Sequence, residues 1–113
     1  MSKLSITIEE LGAPERIATS PGEMLREEFL DPLHMSANAL ALAIRVPANR
    51  ITAILKNERG ITADTAIRLG RYFGNSPRFW FNLQQNYELS KTWAELGKKI
   101  EQEVLPRNEA EAA

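Results

Sequence analysis

An all-helical fold is the class that this sequence predicts, and three observations predict it. Five segments open with residues that cap or begin a helix, and only a few residues separate one segment from the next. Apolar side chains such as Leu40, Ile44 and Ile51 recur at spacings that place them on inward helix faces. No cysteine is present among the 113 residues, so packing without disulfides must stabilise one compact domain.

The first two helices each begin at a serine. Ser20 can cap a helix whose first residue is Pro21, and this helix is expected to end at about Leu30, because Pro32 disfavours helical geometry in the residue before it. Ser36 caps the second helix through its hydroxyl group. Both helices are short, so each depends on packing against its neighbours.

Proline, threonine and glycine bound the third and fourth helices. Pro47 opens the third helix, and either Asn57 or Gly60 can end it, since both residues tolerate left-handed backbone geometry. Thr62 caps the fourth helix and Gly74 ends it.

Two more helices are predicted in the C-terminal part, where Ser76 and Pro77 begin the fifth. The sixth carries one stripe of large apolar side chains: Leu89, Trp93, Leu96, Ile100 and Val104. This stripe is either a lid over the same chain or the dimerisation surface of a homodimer, which is the interpretation we favour. Gly97 weakens the sixth helix by ~1 kcal/mol relative to alanine, and the tail after residue 105 is expected to be frayed.

The first 19 residues precede the helix signals and are interpreted as an arm. Leu4, Ile6 and Ile8 alternate with polar residues, which is the period of a short strand. A lone strand needs a partner to pair with, so the arm is expected to be extended or disordered.

A helix-turn-helix is predicted where the second and third helices meet. Ala41 supplies the small residue that lets the two helices approach. The third helix then presents an outward face of a size that fits the major groove of DNA: Ala48, Asn49, Thr52, Ala53 and Lys56. The turn position that commonly holds glycine is Arg45, for which left-handed geometry costs of order 1–2 kcal/mol. The turn has either relaxed or kept that geometry, with the arginine in contact with a phosphate.

The charge of the chain, −1 in total, is unevenly distributed. Residues 1–35 carry three basic and seven acidic side chains, whereas residues 36–73 carry six basic and two acidic ones. A basic middle segment can meet phosphates, because local potential acts within a Debye length of ~8–10 Å. A solvated surface of mixed charge explains the same counts, so charge alone does not decide between the two interpretations.

No catalytic or metal-binding group of residues is readable. His34 is the only histidine, which excludes a two-histidine metal site, and the serines at helix starts are interpreted as caps rather than nucleophiles. We therefore expect a protein that is not an enzyme and needs no cofactor. The absence of a long apolar run predicts a cytoplasmic protein without a membrane segment.

Three blocks of the sequence resemble the HigA-type antitoxin family, also known as virulence-associated protein I, within the Cro/C1 helix-turn-helix class. The blocks are Ser20-Pro-Gly-Glu-Met-Leu-Arg-Glu-Glu-Phe-Leu30, Gly60-Ile-Thr-Ala-Asp-Thr-Ala-Ile-Arg-Leu69 and Ser76-Pro-Arg-Phe-Trp-Phe-Asn-Leu-Gln84. The resemblance implies a five-helix lambda-repressor-like domain, over residues 20–80, followed by a C-terminal helical extension over residues 81–113. It also implies a homodimer that represses its own operon and neutralises a small basic toxin similar to HigB, a RelE-like mRNA endonuclease.

The resemblance also implies a role for each position at the DNA surface. Base edges in an operator would be contacted by Ala48, Asn49, Thr52 and Ala53. Phosphates would be contacted by Ser36, Asn38, Arg45, Arg50, Lys56 and Arg59. Glu58 would repel a close phosphate, which weakens the expected contact of that loop.

Two other functions remain open from the sequence. The chain is alternatively a free-standing transcriptional regulator without a toxin, or a protein-interaction module that uses the helix-turn-helix only as a scaffold. A DNA-binding dimer would lose affinity steeply with salt, whereas a scaffold would not.

Overall fold

The structure, a computed structural model, describes residues 16–107. That part of the chain contains five helices and no strand, which confirms the all-helical class. The helices are α1 at residues 21–33, α2 at Ala37–Ile44, α3 at Ala48–Leu55, α4 at Ala63–Phe73 and α5 at Pro77–Glu103. The alternation of Leu4, Ile6 and Ile8, on which the predicted arm depended, lies outside the described residues.

Helix α1 begins as predicted but ends later. Ser20 caps it by accepting the Glu23 N–H at 3.1 Å, and α-helical geometry over Pro21–Leu25 passes into a π-helical turn over Arg26–Leu30. The expected end at Leu30 is wrong, because one more turn, Asp31–Leu33, follows. The wider π turn precedes Pro32, so a residue that donates no N–H and crowds the carbonyl four positions earlier fits without ending the helix.

Helices α2, α3 and α4 begin and end at the predicted signals. The hydroxyls of Ser36 and Thr62 each accept the amide N–H of the residue three positions later, at 3.0 and 3.4 Å. Gly74 ends α4 in left-handed geometry, with φ 76°. Of the two candidate terminators after α3, Asn57 is the left-handed one, with φ 60°, rather than Gly60.

The predicted fifth and sixth helices are one continuous helix, α5, of 27 residues. The prediction of a separate sixth helix is therefore wrong. No proline or glycine lies between Pro77 and Gly97, so nothing in the sequence interrupts the helix at the expected junction. Within residues 16–107, no helix is both long enough and apolar enough to cross a membrane.

The chain divides into two compact units. One unit, Thr19–Tyr87, contains α1 to α4 and the first part of α5. The other unit combines Met1–Ala18 with Glu88–Ala113, and of these the structure describes residues 16–18 and 88–107. In this second unit, the Ala18 N–H donates to the Ser90 hydroxyl at 2.8 Å, which ties the start of the described chain to the rest of α5.

The core of the Thr19–Tyr87 unit consists of buried apolar residues from all five helices and from the loop before α4. They are Leu25, Leu30, Leu40, Ala41, Ile44, Ile51, Ile54, Ile61, Ala66, Leu69 and Trp80. Trp80 is fully buried, and its indole N–H donates to the Asn75 side chain at 2.8 Å, so its polar atom is satisfied. Phe29 packs beside Trp80 and Phe73, with ring centroids 4.9 and 4.7 Å away. These contacts hold α1, α4 and α5 together.

The start of α1 lies directly against the end of α3. Gly22 has no room for a side chain, because a Cβ atom there would overlap the backbone carbonyl oxygen of Ile54. One turn later, the Arg26 guanidinium donates to the Leu55 carbonyl at 3.1 Å, which satisfies an acceptor that the helix end leaves unpaired. Helix α1 therefore supports the C-terminal end of α3.

We expect Gly22→Ala to destabilise the protein by about 1–3 kcal/mol, because overpacking against backbone outweighs the ~1 kcal/mol that alanine gains over glycine in a helix. Urea unfolding of the full chain measures this difference. Glu28→Ala, an exposed substitution further along α1, is the control and should change the unfolding free energy by no more than about 0.5 kcal/mol. A G22A variant as stable as the parent would contradict the close approach of α1 to α3.

Candidate nucleic-acid interface

Helices α2 and α3 meet in a tight turn whose left-handed residue is an arginine. Arg45 has φ 63° and ψ 48°, and its N–H donates to the Leu42 carbonyl at 3.3 Å. The next residue, Val46, donates to the Ala41 carbonyl at 3.0 Å. The turn has therefore not relaxed: it keeps the geometry that usually favours glycine, although Arg45 carries a side chain.

The outward face of α3 consists of the residues expected to read bases. Ala48, Asn49 and Thr52 are exposed and Ala53 is half-buried. The hydroxyl of Thr52 donates to the Asn49 carbonyl at 3.3 Å, so its proton is used within the helix. The opposite face buries Ile51 and Ile54 in the core, which fixes the direction in which the outward face points.

Exposed polar and basic side chains precede and follow α3 in the sequence. Among them are five of the six expected phosphate contacts: Ser36, Asn38, Arg45, Lys56 and Arg59. Ser36 accepts a hydrogen bond as the cap of α2, which leaves its hydroxyl proton able to donate to an anion. Glu58, the residue expected to repel a phosphate, is exposed as well.

Arg50, the sixth expected phosphate contact, lies elsewhere. Its side chain is only 23% exposed, and its NH1 atom lies 2.7 Å from the Asp64 carboxylate on α4. Its Nε atom is buried without a hydrogen-bond partner among the described residues. Arg50 therefore faces α4. It is not part of the exposed rim of cations, which consists of Arg45, Lys56 and Arg59.

Asp64 joins Arg50 to a second arginine, Arg68, one turn further along α4. The Arg68 Nε donates to both Asp64 carboxylate oxygens at 3.1 Å. Hydrogen bonds from Arg68 and then from Arg50 lower the pKa of the Asp64 carboxyl below its ordinary value, although desolvation opposes them. The NH1 atom of Arg68 also donates to the Ile44 carbonyl, at 2.8 Å, where α2 ends.

Sequence reasoning missed this network. The i, i+4 spacing of Asp64 and Arg68 is a detectable signal for an ion pair on a helix. The pairing of Asp64 with Arg50 carries no such signal, because it spans 14 positions and two helices.

The apolar stripe of α5 lies in the other unit. Leu89, Leu96 and Ile100 are exposed and Trp93 is half-buried, whereas Val104, also exposed, follows the last residue of the helix and is not part of it, contrary to the prediction. A Cβ atom at Gly97 would overlap the Trp93 ring, so the glycine that weakens the helix also gives the indole a place to lie.

Residues that could hold a metal ion do not cluster anywhere within residues 16–107. His34, the only histidine of the chain, is exposed and ends α1 in left-handed geometry, with φ 52°.

Comparison with known proteins relates this chain to helix-turn-helix proteins that include antitoxins. The helix-turn-helix family matches residues 25–80. Virulence-associated protein I of Dichelobacter nodosus is 47% identical over 95 residues, which cover 84% of this chain and 86% of that protein. Antitoxin HigA-1 of Vibrio cholerae is 40% identical and covers 69% of this chain and 73% of its own length. A solved structure, the Pseudomonas aeruginosa antitoxin HigA with the higBA promoter, is 49% identical with a TM-score of 0.77 and covers 80% of this chain and 98% of that one.

We expect Asp64→Asn to lower the unfolding free energy at neutral pH and to have little effect in acid. Pairing with Arg68 and Arg50 lowers the pKa of the Asp64 carboxyl group in the folded protein. The stabilisation from this pairing is therefore fully present above the pKa of an unfolded aspartate, about 3.9. It is lost as the pH falls through the lower pKa of Asp64 in the folded protein. Urea unfolding of both proteins near neutral pH and at a pH well below the folded pKa measures the two differences. In a background with Arg50→Gln and Arg68→Gln, the same substitution should show no such pH dependence. An equal loss of stability at both pH values would rule out the pairing as its cause.

Proposed function

The chain belongs to the HigA-type (virulence-associated protein I) antitoxin family of the Cro/C1 helix-turn-helix class, and from that membership we propose that it is the DNA-binding antitoxin of a toxin–antitoxin pair. A homodimer binds the operator of its own operon and represses transcription. The same protein neutralises a small basic toxin, an mRNA endonuclease similar to HigB, by protein–protein binding. It acts without catalysis and without a cofactor.

One observation carries the DNA-binding part of this proposal: α3 buries one face and leaves the other open to solvent. Ile51 and Ile54 are buried, whereas Ala48, Asn49 and Thr52 are exposed. A helix in this arrangement can enter a major groove about 12 Å wide. A 49% identical antitoxin, HigA of Pseudomonas aeruginosa, has been solved with the higBA promoter, which supports DNA binding by this chain.

The side chains divide into readers of bases and contacts to phosphates. Asn49 can bond an adenine through both ends of its amide, while Ala48, Ala53 and the Thr52 methyl group suit a thymine methyl group. The phosphate contacts that we propose are Ser36, Asn38, Arg45, Lys56 and Arg59, all exposed around α3. Few of the base readers are long and polar, so part of the selectivity comes from DNA shape.

Dimerisation is the proposed role of the apolar stripe on α5. Cro/C1-class domains read an operator as a pair, with half-sites about 34 Å apart. The exposure of Leu89, Leu96, Ile100 and Val104 supports contact with a second chain rather than a lid over the same chain. An exposed apolar stripe of this size favours association of the chain with a second copy, because association removes the apolar side chains from water.

The DNA-binding part is tested by two substitutions with different expected results. Asn49→Ala should cost ~1–3 kcal/mol of binding free energy at one base position and leave binding to other duplexes unchanged. Lys56→Ala should weaken binding to every duplex and reduce the slope of log affinity against log salt. Fluorescence anisotropy, with a duplex from the chain's own upstream region and its single-base variants, measures both. Equal losses on all duplexes for N49A would contradict base reading by α3.

The antitoxin part is tested by co-expressing the chain with the small basic protein encoded beside its gene. Expression of that neighbour alone should arrest growth, and co-expression should restore growth because the two proteins bind. Asn49→Ala serves as the control and should restore growth equally, since it alters only the DNA surface. If growth stays arrested while operator binding is normal, the chain is a free-standing regulator rather than an antitoxin.

A further inference from the structure

Arg50 is the cation of α3 that the structure turns away from the exposed rim. We propose that Asp64 is a positioning residue of the DNA surface, which holds Arg50 against α4 and thereby gives this arginine a role in operator selectivity instead of phosphate binding. This inference rests on the proposed DNA-binding function and deepens it. It replaces the expectation, drawn from the sequence, that Arg50 contacts a phosphate.

The geometry of Arg50 is the first argument. Its NH1 atom lies 2.7 Å from the Asp64 carboxylate, which is the distance of a strong charge-assisted hydrogen bond. The side chain is 23% exposed, and the buried Nε atom is cut off from water. To reach a phosphate, the guanidinium would have to leave both its counter-ion and its packing site.

The attachment of Asp64 is the second argument. Its carboxylate also accepts a hydrogen bond from the Arg68 Nε atom, and the Arg68 NH1 atom donates to the Ile44 carbonyl at 2.8 Å. The same nitrogen lies 3.5 Å from the carbonyl of Arg45, the left-handed residue of the turn. One chain of contacts therefore links the end of α2, the turn, α3 and α4, which are the elements that set the tilt of the base-reading face.

Charge balance is the third argument. Arg45, Lys56 and Arg59 are exposed around α3, whereas Arg50 is paired with a carboxylate. A paired arginine attracts DNA of any sequence less than a free one does, because a guanidinium bound to a carboxylate makes no phosphate contact and so releases no counter-ion from the DNA. Asp64 is itself 54% exposed, and ion pairs of such exposure contribute little to folding, so variants of the pair are expected to fold.

The test compares salt dependence and selectivity in one set of full-length variants. Affinities are measured for a duplex from the chain's own upstream region and for a scrambled duplex of equal composition, between 50 and 200 mM salt. The set is wild type, Arg50→Gln, Asp64→Asn, the double variant, and Lys56→Gln as the matched control on the exposed rim. Circular dichroism and thermal unfolding verify that each variant is folded.

The proposal predicts a different result for each variant. K56Q lowers the salt slope by about 0.9 per protomer, because a phosphate contact is lost. R50Q leaves the slope unchanged and lowers the ratio of own-duplex to scrambled-duplex affinity by about tenfold, the order of one misread base pair. D64N frees Arg50, so it raises the slope by about 0.9 per protomer, which for a dimer is roughly an extra twelvefold loss of affinity over that salt range. The double variant returns the slope to the wild-type value.

Three outcomes overturn the proposal and can be told apart. If the wild type binds normally but R50Q lowers the slope as K56Q does, Arg50 is an ordinary phosphate contact and only the positioning role fails. If D64N leaves both slope and selectivity unchanged, Asp64 does not hold Arg50 away from the DNA, and the positioning role fails for that reason. If the wild type binds neither duplex, the proposed DNA-binding function fails, and the role of Asp64 fails with it.

Discussion

The burial of Ile51 and Ile54 is the constraint on which the rest of the surface depends. These two residues lie in the core beside Leu40 and Ile44 of α2, so α3 has one face that cannot turn outward. The opposite face, with Asn49 at its centre, is therefore presented in a fixed direction. Turning α3 would move large apolar side chains into water, at a cost of roughly 1.5–3 kcal/mol for each.

Two arginine side chains donate hydrogen bonds to carbonyl groups at the C-terminal ends of α2 and α3. A helix leaves its last carbonyl groups without partners within the helix. In both helices of the helix-turn-helix, a side chain from another helix donates a hydrogen bond to one of these carbonyls. Arg68 of α4 donates to the Ile44 carbonyl at the end of α2, and Arg26 of α1 donates to the Leu55 carbonyl at the end of α3. The two helices of the helix-turn-helix are thus each held at the C-terminal end by a hydrogen bond from another helix.

Local chemistry made much of this predictable from the residues alone. The caps at Ser36 and Thr62 and the stop at Gly74 depend on side chains and backbone geometry within one helical turn, and the structure confirms them. The outward face of α3 followed from the spacing of its apolar residues, because a helix that buries Ile51 and Ile54 must expose the positions between them. The family followed from three sequence blocks, and the 47% identity to virulence-associated protein I confirms it.

The sequence by itself therefore determined the helical class, most helix starts and the outward face of α3, since each depends on neighbours a few positions away. Only the tertiary structure decided three other features. A π turn lets α1 continue through Pro32, the last two predicted helices join into α5, and Arg50 pairs with Asp64 instead of joining the rim. The reason is physical: the pairing of Arg50 depends on how α3 and α4 pack, and that packing brings together atoms that no local pattern places side by side.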